Sequence, residues 1–200
     1  HMPANYTNVL PEFDFSAAVP SGGGNERPIS GSAWSVIYDG DGAGGSDFSR
    51  ISDPTAPRSP NMVWQLRQPA GFYGNLGAGG GHGFGNVFRS LPANTTALYA
   101  CWYTKFSNPY YVHPISHKYM NVFTSNGNSF YVQLARYGNY WEALDGASDY
   151  PFPTLVNQAP TLDRWILQEV QIVVGNPGIV RVWIDGQLRT EGTNHAVAAG

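Results

Sequence analysis

From Leu98 onward, hydrophobic and polar residues alternate in short runs that are separated by turn-forming residues. Alternation with a period of two is typical of β-strands, because successive side chains of a strand point to opposite faces of a sheet. The pattern predicts strands at residues 98–106, 117–125, 129–137, 164–174 and 178–185. Short strands with turns between them indicate an antiparallel β-sandwich or barrel.

The last two predicted strands form the clearest hairpin. They are joined by Gly175-Asn176-Pro177-Gly178, and Asp185-Gly186 begins another turn after them. Every second residue of this hairpin is aliphatic, and these positions predict its core-facing side: Val170, Ile172, Val174, Val180, Val182 and Ile184. By the same rule, strand 129–137 directs its own aliphatic and aromatic set to the core: Phe130, Val132 and Leu134.

The first third of the chain is rich in turn-forming residues. Clusters of Gly, Ser, Pro and Asp predict loops at residues 20–32, 39–49 and 74–86, with short strands at 34–38 and 61–66 between them. The Gly-rich stretch 74–86 has neither the dinucleotide-binding nor the P-loop spacing of glycines. We therefore expect connecting loops and no phosphate-binding site there.

Composition narrows the class of protein and its partners. Charged residues are 12% of the chain and aromatic residues 14%, so the chain is apolar enough to fold. We expect one β-sandwich domain over residues 3–200, with His1-Met2 left from an expression vector. Because the net charge is −3 and the basic residues are scattered singly, we expect no nucleic-acid partner. No apolar run is long enough for a membrane span, and Cys101 is predicted to be a buried, inert thiol.

The predicted strands carry a second face on which polar and aromatic residues occur together. Its members are Trp165, Glu169, Gln171, Arg181, Trp183, Asp185, Tyr131, Gln133, Tyr119, Asn121, Tyr103 and Lys105. Sugars present flat apolar C–H patches ringed by hydroxyls, which suit aromatic faces and planar amide, carboxylate or guanidinium groups. We therefore expect this face to bind a polysaccharide or oligosaccharide. The alternative is an ordinary solvent-facing sheet surface, where the same residue types also occur.

The last hairpin also carries a recognisable series of motifs. Leu162-Asp163-Arg164-Trp165 opens a strand, and Asn176-Pro177-Gly178 and Arg181-Val182-Trp183-Ile184-Asp185-Gly186 follow it. This series resembles the concanavalin A-like lectin/glucanase superfamily, and the stretch from Leu98 to Lys118 resembles its preceding strands. The resemblance covers about residues 50–190 and implies a jelly-roll β-sandwich with a concave carbohydrate groove. That fold hosts lectins, binding modules, hydrolases and lyases. Its members continue past the Asp-Gly hairpin, so we expect a truncated chain or missing strands supplied by the N-terminal region.

The candidate catalytic groups favour elimination over hydrolysis. The glucanases of this superfamily carry an E-x-D-x-E strand, whereas here the nearest pair is Glu142 and Asp145 in a predicted loop. A lyase instead needs a group that neutralises a uronate carboxylate and others that move protons. The candidates are Tyr131, Gln133, His117 and Lys118, although Val132-Gln133-Leu134 only partly matches the Q-V-H strand of jelly-roll alginate lyases. The substrate-binding candidates are Trp183, Arg181, Glu169, Gln171, Tyr119, Asn121, Tyr103 and His113.

Three functions stay open at this point: a polysaccharide lyase, a non-catalytic carbohydrate-binding module or lectin, and a structural or adhesive sandwich. Each polysaccharide function implies a secreted or extracellular protein whose signal peptide has been removed. Asp39, Asp41 and Asp47 have a spacing that suits Ca²⁺, but the loop lacks the closing Glu of an EF-hand. We therefore expect no required cofactor, with a structural Ca²⁺ as the alternative.

Overall fold

The computed structural model describes residues 27–28, 36–38, 47–57, 61–67, 86–88, 91–110, 116–123, 129–135, 140–145, 150–151, 159–193 and 196–197. These residues form strands and connections and no helix, so none of them belongs to a helix that could cross a membrane. All strand pairs among them are antiparallel. The predicted all-β, antiparallel class is therefore confirmed.

The contacts between Cα atoms group the chain into two compact units. One spans Thr7–Leu91, and its described strands are β1 (Arg27–Pro28), β2 (Val36–Tyr38), β3 (Asp47–Ser52), β4 (Met62–Arg67) and β5 (Asn86–Phe88). They form a sheet of order β1-β2-β5 and a separate β3-β4 hairpin. The prediction of a single domain over 3–200 stays a prediction.

The other unit contains Pro92–Gly200 and the remaining strands. These are β6 (Ala97–Lys105), β7 (Ser116–Phe123), β8 (Ser129–Ala135), β9 (Tyr140–Asp145), β10 (Tyr150–Pro151), β11 (Trp165–Val173), β12 (Ile179–Ile184) and β13 (Gln187–Gly192). They form two four-stranded sheets, of order β10-β9-β8-β7 and β13-β12-β11-β6. The five strands predicted after Leu98 are all present, with ends within two residues of the predicted ones.

One hydrophobic cluster joins the two sheets of this unit. Val132 of β8 is buried in it together with residues of β11 and β12, and Met120 and Val122 of β7 pack against it. The inward set of the β11–β12 hairpin is as predicted, with Val180 and Val182 almost fully buried. Two antiparallel sheets with a shared core are consistent with a β-sandwich.

The turns of the last sheet follow local residue chemistry. Asp185 and Gly186 both have positive φ, 51° and 74°, which is the type I′ geometry that matches the twist of two flanking strands. The Asp185 carboxylate also accepts hydrogen bonds from the Leu167 amide at 3.0 Å and from Arg164 at 2.5 Å. This turn therefore fixes the register in which β13 joins β12.

Several predictions from the sequence are wrong. Glu142 and Asp145 lie on strand β9, which pairs with β8 and β10, and not in a loop. The reason is that the aromatic pair at the start of β9 favours a strand despite its short length. Cys101 is exposed and not buried, because Trp102 takes the core-facing position next to it. Strands β1 and β3 overlap the predicted loops 20–32 and 39–49. The predicted loop 74–86 lies outside the described residues except for Asn86, where β5 begins.

Candidate functional site

The sheet β13-β12-β11-β6 turns one face to the core, and its opposite face, the outer face, carries the candidate site. Its residues alternate with buried core residues such as Val170 and Val182. The strand register aligns them in two rows across all four strands. The first row is Tyr99, Gln171, Arg181 and Glu191, and the second row is Cys101, Glu169, Trp183 and Leu188.

Arg181 organises the first row. Its Nε donates a hydrogen bond to Glu191, and its Nη1 donates to Gln171 Oε1 at 3.1 Å. The Glu191 side chain is 41% exposed and that of Arg181 is 31% exposed, whereas Gln171 is buried. The guanidinium is therefore held along the sheet by two partners, and its charge is balanced by a neighbouring carboxylate.

A second polar contact links the two rows. The Tyr99 hydroxyl donates a hydrogen bond to Glu169 Oε1, and Glu169 is only 2% exposed. Burial, followed by the hydrogen bond to Glu169 and the charge of that carboxylate, raises the pKa of Tyr99 well above its usual range. Tyr99 therefore stays protonated near neutral pH and acts there as a donor, not as a base.

Apolar and aromatic side chains of the outer face are also exposed to solvent. Tyr103 is 41% exposed and Leu188 is 50% exposed. Trp183 is half-buried between Glu169 and Leu188 in the second row, and Cys101 is exposed at the end of that row. Since Glu169 and Gln171 are buried, a ligand on this face would contact the rings and the Arg181–Glu191 pair and not the two buried groups.

The structure divides the residues that the sequence placed on one face. Trp165, Glu169, Gln171, Arg181, Trp183, Tyr103 and Lys105 belong to the sheet of the outer face, with Asp185 at its β12–β13 turn. The others lie on β7 and β8 in the second sheet: Tyr119, Asn121, Tyr131 and Gln133. The expectation of a single shared sheet face is therefore wrong. Alternation along a strand reports which residues share a side of that strand, but not which sheet the strand joins.

The candidate catalytic residues are neighbours along the β7–β8 ladder. Lys118 is the backbone partner of Gln133, and Asn121 is the partner of Tyr131. A β-bulge between Lys118 and Met120 interrupts the ladder at Tyr119. Gln133 also pairs with Glu142 on β9. The backbone thus places these residue types on three adjacent strands.

The remaining candidates fall largely outside the described residues. His113, Asp39 and Asp41 are among those not described, and Asp47 begins β3 opposite Arg67. Among the described residues, no three His, Cys, Asp or Glu side chains are grouped as metal ligands would be. The calcium alternative stays a prediction.

Sequence reasoning missed three contributors to the outer face. Tyr99 was not singled out, although it stands two residues before Cys101 and four before Tyr103, on the same side of β6. Leu188 and Glu191 belong to β13, a strand that was not predicted. The Asp185-Gly186 turn was the signal for it, because such a turn normally leads directly into a partner strand.

Searches with this sequence find no matching protein-family model and no matching curated protein.

Proposed function

We propose that this protein is a jelly-roll β-sandwich of the concanavalin A-like type that binds a polysaccharide on the outer face. The observation that carries the proposal is the second row, where the half-buried Trp183 lies between the buried Glu169 and the exposed Leu188. Half-exposed indole and phenol rings beside fixed polar groups match the alternating apolar and hydroxyl surfaces of a sugar. The proposal implies a secreted protein.

The buried polar groups have a supporting role in this proposal. Glu169 accepts from Tyr99, and Gln171 accepts from Arg181, so these pairs fix the positions of groups nearer the surface. Side chains that are held before binding lose less conformational freedom when a ligand arrives. The outer face therefore offers a rigid platform with a polar rim at Arg181 and Glu191.

A lyase activity on the second sheet is the other candidate function. The observation that favours it is the pairing of Lys118 with Gln133 and of Asn121 with Tyr131 on β7 and β8. Amide groups of Gln or Asn would neutralise a uronate carboxylate, and a Tyr or Lys would transfer the protons of β-elimination. In this candidate, elimination takes place on the second sheet and binding on the outer face, so a substitution in one sheet can abolish one activity and leave the other.

The test is retardation of the native protein in gels that contain neutral or uronate-rich polysaccharides. We expect at least one polysaccharide to retard the wild type and Trp183→Ala to weaken that retardation about tenfold, as for a central aromatic contact. Trp64→Ala is the matched control, because Trp64 is also half-buried on a strand but lies in the Thr7–Leu91 unit. Circular dichroism verifies folding of each variant.

The outcomes separate the candidate functions. Retardation that persists in Trp183→Ala contradicts binding on the outer face. No retardation by any polysaccharide contradicts carbohydrate binding altogether and leaves a structural sandwich. A rise in absorbance from unsaturated uronate, lost in Gln133→Ala and Tyr131→Phe, supports the lyase, and a flat absorbance rejects it.

A further inference from the structure

A small open depression lies where the chain enters β11, beside the β12–β13 turn. Its polar lining consists of Thr161, Arg164, Asp185 and Arg189, and the ends of the core strands add Ile166 and Ile184. We call it the end depression. None of its polar residues is among those that form the two rows of the outer face, so it is a separate place on the molecule.

A β-bulge supplies Arg189 to the end depression. The register of β12 and β13 shifts between Val182 and Trp183, so that Val182 pairs with Thr190 and Trp183 with Leu188. Arg189 is the extra residue between them, and it lines the depression with the core residues Ile166 and Ile184. A bulge commonly re-aims a side chain in this way.

Arg189 has no counter-ion in the part of the chain that the structure describes. Its Nε is buried and has no hydrogen-bond partner. The nearby carboxylate of Asp185 is already engaged, because it accepts from Arg164 at 2.5 Å and from the Leu167 amide at 3.0 Å. A guanidinium with a buried, unpaired donor carries a desolvation cost, and a negative group bound at its two Nη atoms would offset part of that cost through its charge.

We propose that the end depression binds a singly charged oxyanion, such as a carboxylate or a sulfate ester, through the guanidinium of Arg189. The charges support one negative group, because two arginines and one aspartate leave a net charge of +1 on the lining. The planar guanidinium presents paired donors that match two oxygens of such a group. The Thr161 hydroxyl is a further donor on the same lining.

The test is a titration of the isotope-labelled protein with sodium acetate or methyl sulfate against sodium chloride at equal ionic strength. We expect saturable amide shifts at Arg164, Ile166, Asp185 and Arg189 with each oxyanion and not with chloride. Inorganic phosphate, which is largely doubly charged at pH 8, should bind more weakly because Asp185 repels the second charge. Shifts that match those of chloride would overturn the proposal.

Substitutions at and away from the end depression test whether the oxyanion binds there. Arg189→Met keeps the aliphatic stem of the side chain and should abolish saturation, whereas Arg189→Lys should weaken binding about tenfold because it loses the paired donors. Lys105→Met removes the same charge from β6 and should leave the shifts unchanged. If Arg189→Met does not fold, Thr161→Val, at an exposed loop position, tests the same lining. Saturation that is unaltered in Arg189→Lys and Thr161→Val, or lost in Lys105→Met, rejects the site.

Discussion

Two consecutive residues of β11 show how much a single hydrogen bond matters in this fold. Gln168 and Glu169 are both almost fully buried, at 1% and 2% exposure. Glu169 lies on the outer face and accepts from the Tyr99 hydroxyl. Gln168 lies on the core side between Ile166 and Val170, and neither atom of its amide has a hydrogen-bond partner in the described part of the chain. A buried amide without a hydrogen-bond partner lowers the free energy of unfolding by about 1–3 kcal/mol.

Replacing the amide of Gln168 should therefore stabilise the protein. Gln168→Met keeps a similar length and flexibility and removes the unpaired polar atoms, so we expect the free energy of unfolding to rise by about 1–3 kcal/mol. Denaturant unfolding measures the change. Gln171→Met is the matched control and should destabilise, because Gln171 accepts from Arg181. A loss of stability in Gln168→Met would show that the amide is satisfied.

The Tyr99 hydroxyl should make stability depend on alkaline pH. The folded protein raises the pKa of Tyr99 above the value of about 10 for an unfolded tyrosine. The unfolded chain then loses this proton first as the pH rises, so the contribution of Tyr99 is complete below about pH 10 and declines above it. Tyr99→Phe should cost about 1–3 kcal/mol at pH 7 and reduce the decline in stability above about pH 10.

Urea unfolding at several pH values measures both effects of Tyr99→Phe. Tyr110→Phe is the comparison variant. Burial alone raises the pKa of Tyr110, whereas burial and Glu169 together raise that of Tyr99. Tyr110→Phe should likewise reduce the alkaline decline, while the double variant should reduce it further. An alkaline decline in Tyr99→Phe equal to that of the wild type would contradict the role assigned to the Tyr99–Glu169 contact.

At the scale of elements, the β11–β12 hairpin depends on a close approach of Val197. Gly175 forms a β-bridge with Val197, and a Cβ added to Gly178 would lie 2.6 Å from the Val197 side chain and 2.7 Å from the Val173 carbonyl oxygen. The Val173 carbonyl belongs to the backbone, so it cannot move aside without a large cost in free energy. We therefore expect Gly178→Ala to destabilise by about 1–3 kcal/mol, as for overpacking in a core.

Thermal unfolding of Gly178→Ala and of the double variant Gly178→Ala/Val197→Ala shows whether the loss of stability comes from a steric clash with Val197. The second substitution removes two methyl groups from the crowded position, so it should cost less in the double variant than Val197→Ala costs alone. Strictly additive costs would mean that Gly178 and Val197 do not compete for space.

The elements that could be predicted are those in which alternation is long and aliphatic. The β11–β12 hairpin has six aliphatic residues at every second position and was placed to within one residue of its observed ends. In contrast, β13 reads Gln-Leu-Arg-Thr-Glu-Gly, and a bulge at Arg189 breaks its alternation. Its stability as a strand comes from pairing with β12, which a local pattern does not contain.

For the candidate site, alternation predicted which side chains share the outer side of β11 and β12, but not how deeply each is buried. Glu169 and Gln171 were expected to line an open groove, whereas contacts with Tyr99 and Arg181 accompany their burial. Those partners lie on neighbouring strands, at separations of 70 and 10 residues. Such pairings depend on strand order, and no sequence pattern in this chain encodes the order of the strands within the two sheets of the Pro92–Gly200 unit.

At the scale of the molecule, the described core of the Pro92–Gly200 unit makes its two sheets energetically dependent on each other. Val132 of β8 is 2% exposed and lies in the same hydrophobic cluster as Val170 and Val182 of the other sheet. A side chain that packs across the interface stabilises both sheets at once. The two sheets should therefore unfold as one cooperative unit.

Val132→Ala tests this dependence, because it removes two methyl groups from the cluster at a cost of about 2 kcal/mol. If the sheets unfold together, the slowest-exchanging backbone amides of β11 and β12 should lose as much hydrogen-exchange protection as those of β8. Val170→Ala should produce the reciprocal loss in β8, and Leu188→Ala, at a half-exposed position, should leave both sheets nearly unchanged. A loss confined to the mutated sheet would mean that the interface contributes little, since cooperativity requires that breaking either sheet exposes the cluster of both.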